Sequence, residues 1–369
     1  MPHSTIYDNL ERDVWCLLGL PFDAIGLNGT IEKLYYSVRN NKPCFLSTPN
    51  TNFLIASQND TAFRDSVISS DLSIIDGKPL VWIARMLSMP VSERVAGSDL
   101  IESLIDNKQR HEPMKAFFFG GQDGIAEIAC EKLNMHTSGL QCAGSLNPGF
   151  GSLEEMSSPD IINTINKNDV DFVIVSLGAK KGQSWIEKNK LNINAPIISH
   201  LGAVVNFIAG SVKRSPKILQ KSGLEWLWRI KEEPALWRRY LNDGLSLTKL
   251  LIFKVMPLSL LIFRNKKRSN DGVHITQVDE KNLNTIICDG YLGKRNIAAI
   301  NDSLRKAISL STNIKIIIKP GSYIDGAILA KLQFLHKELP DIGGKIEIVS
   351  QSRLATKVFH YSCCEYLLQ

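Results

Sequence analysis

The first 202 residues alternate short apolar runs with longer stretches in which apolar positions recur at helical spacing. The runs are VWCLLGL (14–20), CFLS (44–47), LSIID (72–76), KAFFFG (115–120), LQCAGS (140–145), DFVIVSLG (171–178) and PIISHLG (196–202). Continuous apolar runs separated by helices predict an α/β fold whose parallel sheet is covered on both faces. Such a sheet binds ligands beyond the carboxyl ends of its strands, which directs attention to the residues that close each run.

CFLS passes into Thr48-Pro49-Asn50 and a helical pattern, and LSIID closes on Asp76-Gly77. Taken locally, Thr48 and Asn50 are helix-start residues, and Asp76 is an N-cap for a helix beginning near Lys78. After Phe119 come Gly120, Gly121 and Gly124, then the helical IAEIACEKL. A glycine turn feeding a helix N-terminus can bring backbone N–H groups close to a phosphate, although without GxGxxG spacing an ordinary tight turn explains it too. AKKGQSW after Gly178 reads as a short basic turn before another helix.

Residues 211–268 are helical and basic. Between Lys213 and Tyr240 stand eight basic residues, Lys213, Arg214, Lys217, Lys221, Arg229, Lys231, Arg238 and Arg239, against Glu225, Glu232 and Glu233. The segment LSLTKLLIFKVMPLSLLIFRNKKR (245–268) is interrupted by Lys249, Lys254 and Pro257. Its longest uncharged run, Val255 to Phe263, falls short of the roughly 20 residues that span a bilayer. It suits a helix lying in the membrane interface, with lysines that snorkel and a closing basic cluster; an apolar helix docked on the protein's own core is the alternative. NKKRSNDG then reads as a linker, and the remainder as a small α/β unit without a catalytic cluster. The organisation expected is 1–210, an α/β unit; 211–268, a basic helical appendage; and 269–369, a second α/β unit.

With 369 residues, 44% hydrophobic and 22% charged, the chain is a folded protein of two or three domains. A net charge of +6 is mild, and no nucleic-acid partner is expected. The seven cysteines form no CxxC pair and the N-terminus lacks a signal-peptide pattern, which together predict a reducing, cytosolic setting. No His/Cys spacing suits zinc. The one Asp-x-Asp, Asp169-Val170-Asp171, opens a strand instead of closing one, the wrong end for a ligand in this sheet.

Nine pieces in order resemble the bacterial WecG/TagA/CpsF glycosyltransferase family: LLGLPFDAI, TPNTNFLIASQND, DLSIIDGKPLVW, ERVAGSDL, AFFFGGQDGIAE, VSLGAKKGQSWI, LGAVVNFIAGSVKRSP, GLEWLWRI and EEPALWRRY. The resemblance covers the first 240 residues and implies a Rossmann-like, mostly parallel sheet with helices on both faces. It also implies inverting transfer from a UDP-sugar to a polyprenyl-diphosphate-linked glycan at the cytoplasmic membrane face, in cell-surface polysaccharide or exopolysaccharide synthesis. An anionic membrane surface is then a partner, and the protein is peripheral on the inner face of the plasma membrane. Asp76 becomes the base, with Thr48, Asn50 and Arg94 around it; an ion pair with Glu93 or Asp99 is the plainer role for Arg94. Gly120, Gly121 and Gly124 would serve the nucleotide. Lys181, Gln183 and Asn206 would lie on the donor side, and Lys213, Arg214, Arg229, Arg238 and Arg239 would together hold the acceptor diphosphate. No cofactor is required and a divalent metal is optional.

Two positions depart from the family pattern. The usual Pro-Lys-Gln-Glu is Lys180-Lys181-Gly182-Gln183, and the usual Asp of Gly-Gly-x-Phe-Asp is Asn206. The donor sugar is left open among glucose, glucuronic acid and N-acetylated sugars, and a catalytically weakened relative acting as an assembly partner is the rival reading. The tail, carried by IKIIIKPGSYIDGAILAKLQFLHKEL, GGKIEIVS and RLATKVFHY, resembles a STAS domain. Where regulatory STAS domains carry a phosphorylated serine turn this chain has Asp325-Gly326-Ala327-Ile328, so protein docking or self-association is expected there and a phosphoswitch is not.

Overall fold

The computed structural model describes residues 2–107, 112–135, 139–280, 282–311 and 313–369. Six apolar runs become the strands β3 (Cys44–Ser47), β4 (Leu72–Ser73), β5 (Met114–Gly120), β6 (Leu140–Leu146), β7 (Phe172–Ser176) and β8 (Ile197–His200). They pair in parallel in the order β4-β3-β8-β7-β5-β6. Alternate residues of the strands feed cores on opposite faces: Phe118, Ile174 and Ile197 on one, Phe117, Phe119, Val173 and Val175 on the other.

The seventh run behaves differently. VWCLLGL was expected to join the parallel sheet, but it breaks at Leu18-Gly19 into β1 (Val14–Leu17) and β2 (Leu20–Asp23), an antiparallel hairpin. Both turn residues have positive φ, +49° and +88°, the requirement of a two-residue hairpin turn, and Gly19 meets it without strain. Cys130 and Cys142 form a disulfide, with Cα atoms 5.1 Å apart, that ties the helix Ile125–Asn134 to β6.

The sheet's reversal of strand order falls around β8. The helices after β3, Thr51–Asn59 and Thr61–Ile68, lie on the same face as Ala179–Asn189, which follows β7. The helix after β8, Val204–Ala209, packs on the other face against Gly97–Asp106 and Ile125–Asn134. Neighbouring strands whose chains leave on opposite faces open a crevice at their carboxyl ends.

Beyond the sheet, a helical run from Pro234 to Arg264 is long and apolar enough, by length and composition, to cross a membrane. Pro257 was expected to interrupt it. The run instead continues through a π-helical turn at Leu251–Val255, and Pro257 occupies the first turn of Met256–Arg264. A widened turn absorbs the lost proline N–H and keeps the ring off the preceding carbonyls. Val255, Leu258 and Leu261 bury one side of this helix, while Leu245, Ile252, Phe253, Met256, Leu260 and Phe263 leave an apolar stripe exposed on the other.

The tail forms a five-stranded sheet of β9 (Val273–Glu280), β10 (Leu283–Leu292), β11 (Asn313–Ile318), β12 (Tyr323–Ile324) and β13 (Lys345–Ser350), in which only β9 runs antiparallel to its neighbour. Its helix Gly326–Glu338 buries nine consecutive residues, Ala327 to Leu335. A helix buried all round is held on two sides. The tail sheet takes one side, and the hairpin β1-β2 with the helix Pro2–Glu11 takes the other, so a single core runs from Ile6 through Phe22 into the tail. The docking is also polar: Lys331 Nζ donates to the carbonyls of Asn9, at 2.9 Å, and Arg12, and Gln333 Nε2 donates to that of Gly19 at 2.7 Å.

Candidate active site

The loops that close β3 and β4 are stitched together by their own backbones. Ile74 N–H donates to Ser47 O and Asp76 N–H to Pro49 O, both at 3.0 Å, and Val95 N–H donates to Ile75 O at 2.9 Å. Thr48, Asn50, Asp76 and Arg94 are thereby brought to one corner of the sheet's carboxyl edge. Thr48 is buried, and Gly97 lets the helix Gly97–Asp106 approach closely; a methyl there would stand 2.6 Å from Leu201 and 4.0 Å from Thr48 Oγ1. Asn50 does cap its helix, its Oδ1 accepting from Phe53 N–H at 3.2 Å. Asp76 does not: the helix Lys78–Met86 is entered through Gly77 at φ +147° with no side-chain cap. Among the described residues the Asp76 carboxylate accepts no hydrogen bond.

Cations and acids interleave around this corner. Arg94 pairs with Asp99 at 2.8 Å and Glu225 at 2.6 Å, which makes Asp99 the pairing partner that the sequence offered. Arg214 shares Asp99 and also engages Glu102. Glu225 begins the helix Glu225–Glu232, which borders a shallow pocket lined by Asn206, Phe207, Lys213, Trp228 and Arg229. Arg238 and Arg239 stand apart. They are exposed on the next helix and stack on their own neighbours Trp237 and Tyr240, so the cationic set does not assemble as one group.

On the far side of the crevice Gly120, Gly121 and Gly124 adopt φ of +88°, +106° and +74° at the end of β5. Nothing lies within 4 Å of where a side chain would begin at Gly121 or Gly124, which leaves their backbone open to a ligand. Lys181 Nζ donates to Gly151 O at 2.5 Å. Gln183 turns inward: it is fully buried, its Nε2 donating to Ser47 Oγ at 2.6 Å and its Oε1 unpartnered. Its expected place on the donor surface is therefore corrected, since the amide is drawn down between β3 and its own helix. Asp169 and Asp171 sit at the amino edge of β7, engaged by Lys115.

Sequence reasoning missed His200, the last residue of β8. Its ring is buried, 9% exposed, its Nε2 has no partner, and it fills the space that a side chain at Gly182 would need. The signal was present as a histidine closing the apolar run PIISHLG at a strand's carboxyl end.

Residues 15–258 match the model of the Glycosyl transferase WecG/TagA/CpsF family. The chain belongs to this family. It is similar to an N-acetylglucosaminyldiphosphoundecaprenol N-acetyl-beta-D-mannosaminyltransferase of Bacillus spizizenii strain W23, 26% identical over 211 residues that cover 57% of this chain and 80% of the relative. A protein of the same name from Staphylococcus aureus strain MW2 is 22% identical over 226 residues, 60% of this chain and 85% of its own.

The chain is thus a glycosyltransferase, and its corner has the electrostatics such chemistry uses. Burial pushes the Asp76 carboxyl up to about 6, with Arg94 pulling the other way and the Glu225 charge adding to the rise. A carboxyl poised there is ionised at neutral pH yet basic enough to take a proton from a hydroxyl. Burial works against the Arg94 charge too, but Asp76, Glu225 and Asp99 outweigh it and hold the guanidinium firmly protonated. The transferase therefore sets a single unbonded carboxylate beside a permanent cation, at the mouth of a parallel sheet.

Proposed function

We propose that this transferase moves a sugar with inversion from a UDP-sugar to a hydroxyl of a polyprenyl-diphosphate-linked glycan, at the cytoplasmic membrane face, in cell-surface polysaccharide assembly. The observation that carries this reading is the unbonded, proton-hungry carboxylate of Asp76 beside Arg94 at the sheet's carboxyl edge. Asp76 takes the proton of the acceptor hydroxyl as that oxygen bonds to the anomeric carbon. The bond from that carbon to the β-phosphate oxygen breaks, and its electron pair leaves with UDP. Arg94, Arg214 and Arg229, with the N–H groups of the Gly120–Gly124 turn, supply positive charge for the departing diphosphate. Divalent metal is optional in this scheme and no cofactor takes part.

The relatives' names specify a GlcNAc-diphosphoundecaprenol acceptor and an N-acetylmannosamine residue, and these are the first pairing to try. The exposed apolar stripe of residues 245–263, flanked by Arg238, Arg239, Arg264, Lys266, Lys267 and Arg268, suits a helix lying in an anionic membrane surface. Purified protein incubated with UDP-sugars and polyprenyl-diphosphate acceptors is expected to release UDP and extend one acceptor by a single sugar mass. No release from any pairing would favour the catalytically weakened relative, an assembly partner acting through its STAS-like tail.

A further inference from the structure

We propose that His200 contacts the transferred sugar and makes the site select a neutral donor sugar over a uronic acid; this rests on the transferase reading.

The first ground is topological. The base corner lies at the ends of β3 and β4, and the glycine turn suited to the nucleotide lies at the end of β5. The transferred sugar is joined to the nucleotide and attacked from the acceptor, so it must lie between them. In the order β4-β3-β8-β7-β5-β6, the strands between are β8 and β7, and His200 closes β8 beside Val175 of β7.

The second ground is the imidazole itself. Buried polar groups in folded proteins are nearly always hydrogen-bonded, and leaving one unmade costs about 1–3 kcal/mol. His200 Nε2 is buried and has no partner, at the carboxyl edge where ligands enter. A methyl on Gly182 would collide with the ring at Cδ2, and one on Gly202 would stand 3.2 Å from Nε2. The ring edge thus abuts two residues without side chains, which give it the room it occupies.

The third ground fixes the ligand class. Burial pushes the imidazole down to about 4, so it is neutral at physiological pH. A neutral Nε2 can bond a hydroxyl or an acyl-amide but cannot balance a buried carboxylate.

The test compares wild type with His200→Phe, which keeps a ring in the slot without the nitrogen, and with His200→Gln, which restores a polar group. Turnover is measured over UDP-GlcNAc, UDP-ManNAc, UDP-glucose and UDP-glucuronic acid. Calorimetry compares UDP-sugar binding with UDP binding, and thermal unfolding controls for folding. Expected is that wild type rejects UDP-glucuronic acid, and that His200→Phe loses roughly tenfold in kcat/KM for the preferred donor. UDP affinity should stay unchanged and the melting temperature should not fall, and His200→Gln should recover part of the loss. An unchanged donor ratio in His200→Phe, or a wild type that prefers UDP-glucuronic acid, overturns the proposal while leaving the transferase reading intact. If wild type shows no turnover, the transferase reading fails instead. Calorimetry then decides for His200: the preference for UDP-sugar over UDP must shrink in His200→Phe, and its persistence, or no UDP-sugar binding at all, overturns the proposal.

Discussion

The backbone N–H of Asp76 donates to the carbonyl of Pro49 at 3.0 Å, so the loops that end two adjacent strands move as one piece. Through that bond the threonine and asparagine of one loop keep a fixed relation to the carboxylate of the other, which is what a base needs if the acceptor hydroxyl is to meet it in one geometry.

The first expectation concerns Asp76. Replacing it with Asn is expected to lower kcat by roughly 10²–10⁴, the usual range for losing a positioned base. The same change should stabilise the fold. The folded carboxyl is raised above its unfolded value of 3.8, so the native state binds the extra proton between there and about 6, and stability falls as pH rises through that window. Above it the penalty is constant, and Asp76→Asn removes it at a gain on the order of 1–3 kcal/mol, the attraction to Arg94 being already contained in the raised value. Activity and melting temperature at pH 7.5 should move in opposite directions; a variant that lost both would mark Asp76 as structural.

Arg94 tunes that carboxylate. Its charge holds the Asp76 carboxyl lower than burial alone would, so in Arg94→Gln the acid limb of the kcat/KM profile should shift to higher pH. Asp99 and Glu225 would also lose their shared partner, and stability at neutral pH should fall by about 1–3 kcal/mol. A pH profile superimposable on wild type would separate Arg94 from the base.

Gly182 and His200 form a volume pair. Gly182→Ala should destabilise by roughly 1–3 kcal/mol, because its methyl and the imidazole compete for one space. Adding His200→Ala opens the slot and should recover most of that loss, a coupling readable in a double-mutant cycle of unfolding free energies. Simple additivity of the two changes would deny the pairing.

The tail's docking should show in Lys331. This lysine is fully buried in the tail helix and serves carbonyls at the end of the N-terminal helix. Burial lowers its amine to about 7, so between 7 and 10.5 the unfolded chain binds more protons and stability rises with pH. Lys331→Met should flatten that rise in denaturant titrations at pH 7 and pH 10. It should also cost about 1–3 kcal/mol at pH 10, where two carbonyls lose their donor. A variant whose pH dependence matched wild type would place the proton uptake elsewhere.

What could be read from residues alone follows physical range. The parallel sheet was legible because buried strands are continuous apolar runs, and Thr48, Asp76 and Arg94 because they close such runs or follow them in a motif. The hairpin was not, since its turn lies inside an apolar run and shows only in the backbone angles of Leu18 and Gly19. Gln183 was expected on the donor side of the site, yet Ser47, 136 positions away, draws it inward. The Gly182–His200 fit likewise joins residues on different elements. Lys331 and Gln333 are polar positions in an otherwise apolar helix, and only the packing of the N-terminal hairpin and helix over that face makes them buried.

The helix Pro234–Arg264 offers a surface that can be altered without touching the core. Phe253 is 67% exposed and Phe263 77%, whereas Val255, Leu258 and Leu261 on the inner side hold the helix to the protein. Burying a large apolar side chain contributes about 1.5–3 kcal/mol, so two phenylalanines entering a headgroup layer supply a substantial part of interfacial binding. Phe253→Glu with Phe263→Glu should therefore leave the melting temperature within about 1–2 °C of wild type, surface changes being nearly neutral to folding. The same pair should weaken co-sedimentation with anionic phosphatidylglycerol vesicles by at least roughly tenfold. Reversing the charge of Arg264 and Lys267 tests the second component, whose loss should be largest at low salt because a Debye length of about 10 Å at 0.1 M screens it. Unchanged vesicle binding in both variants would assign the stripe to another apolar partner.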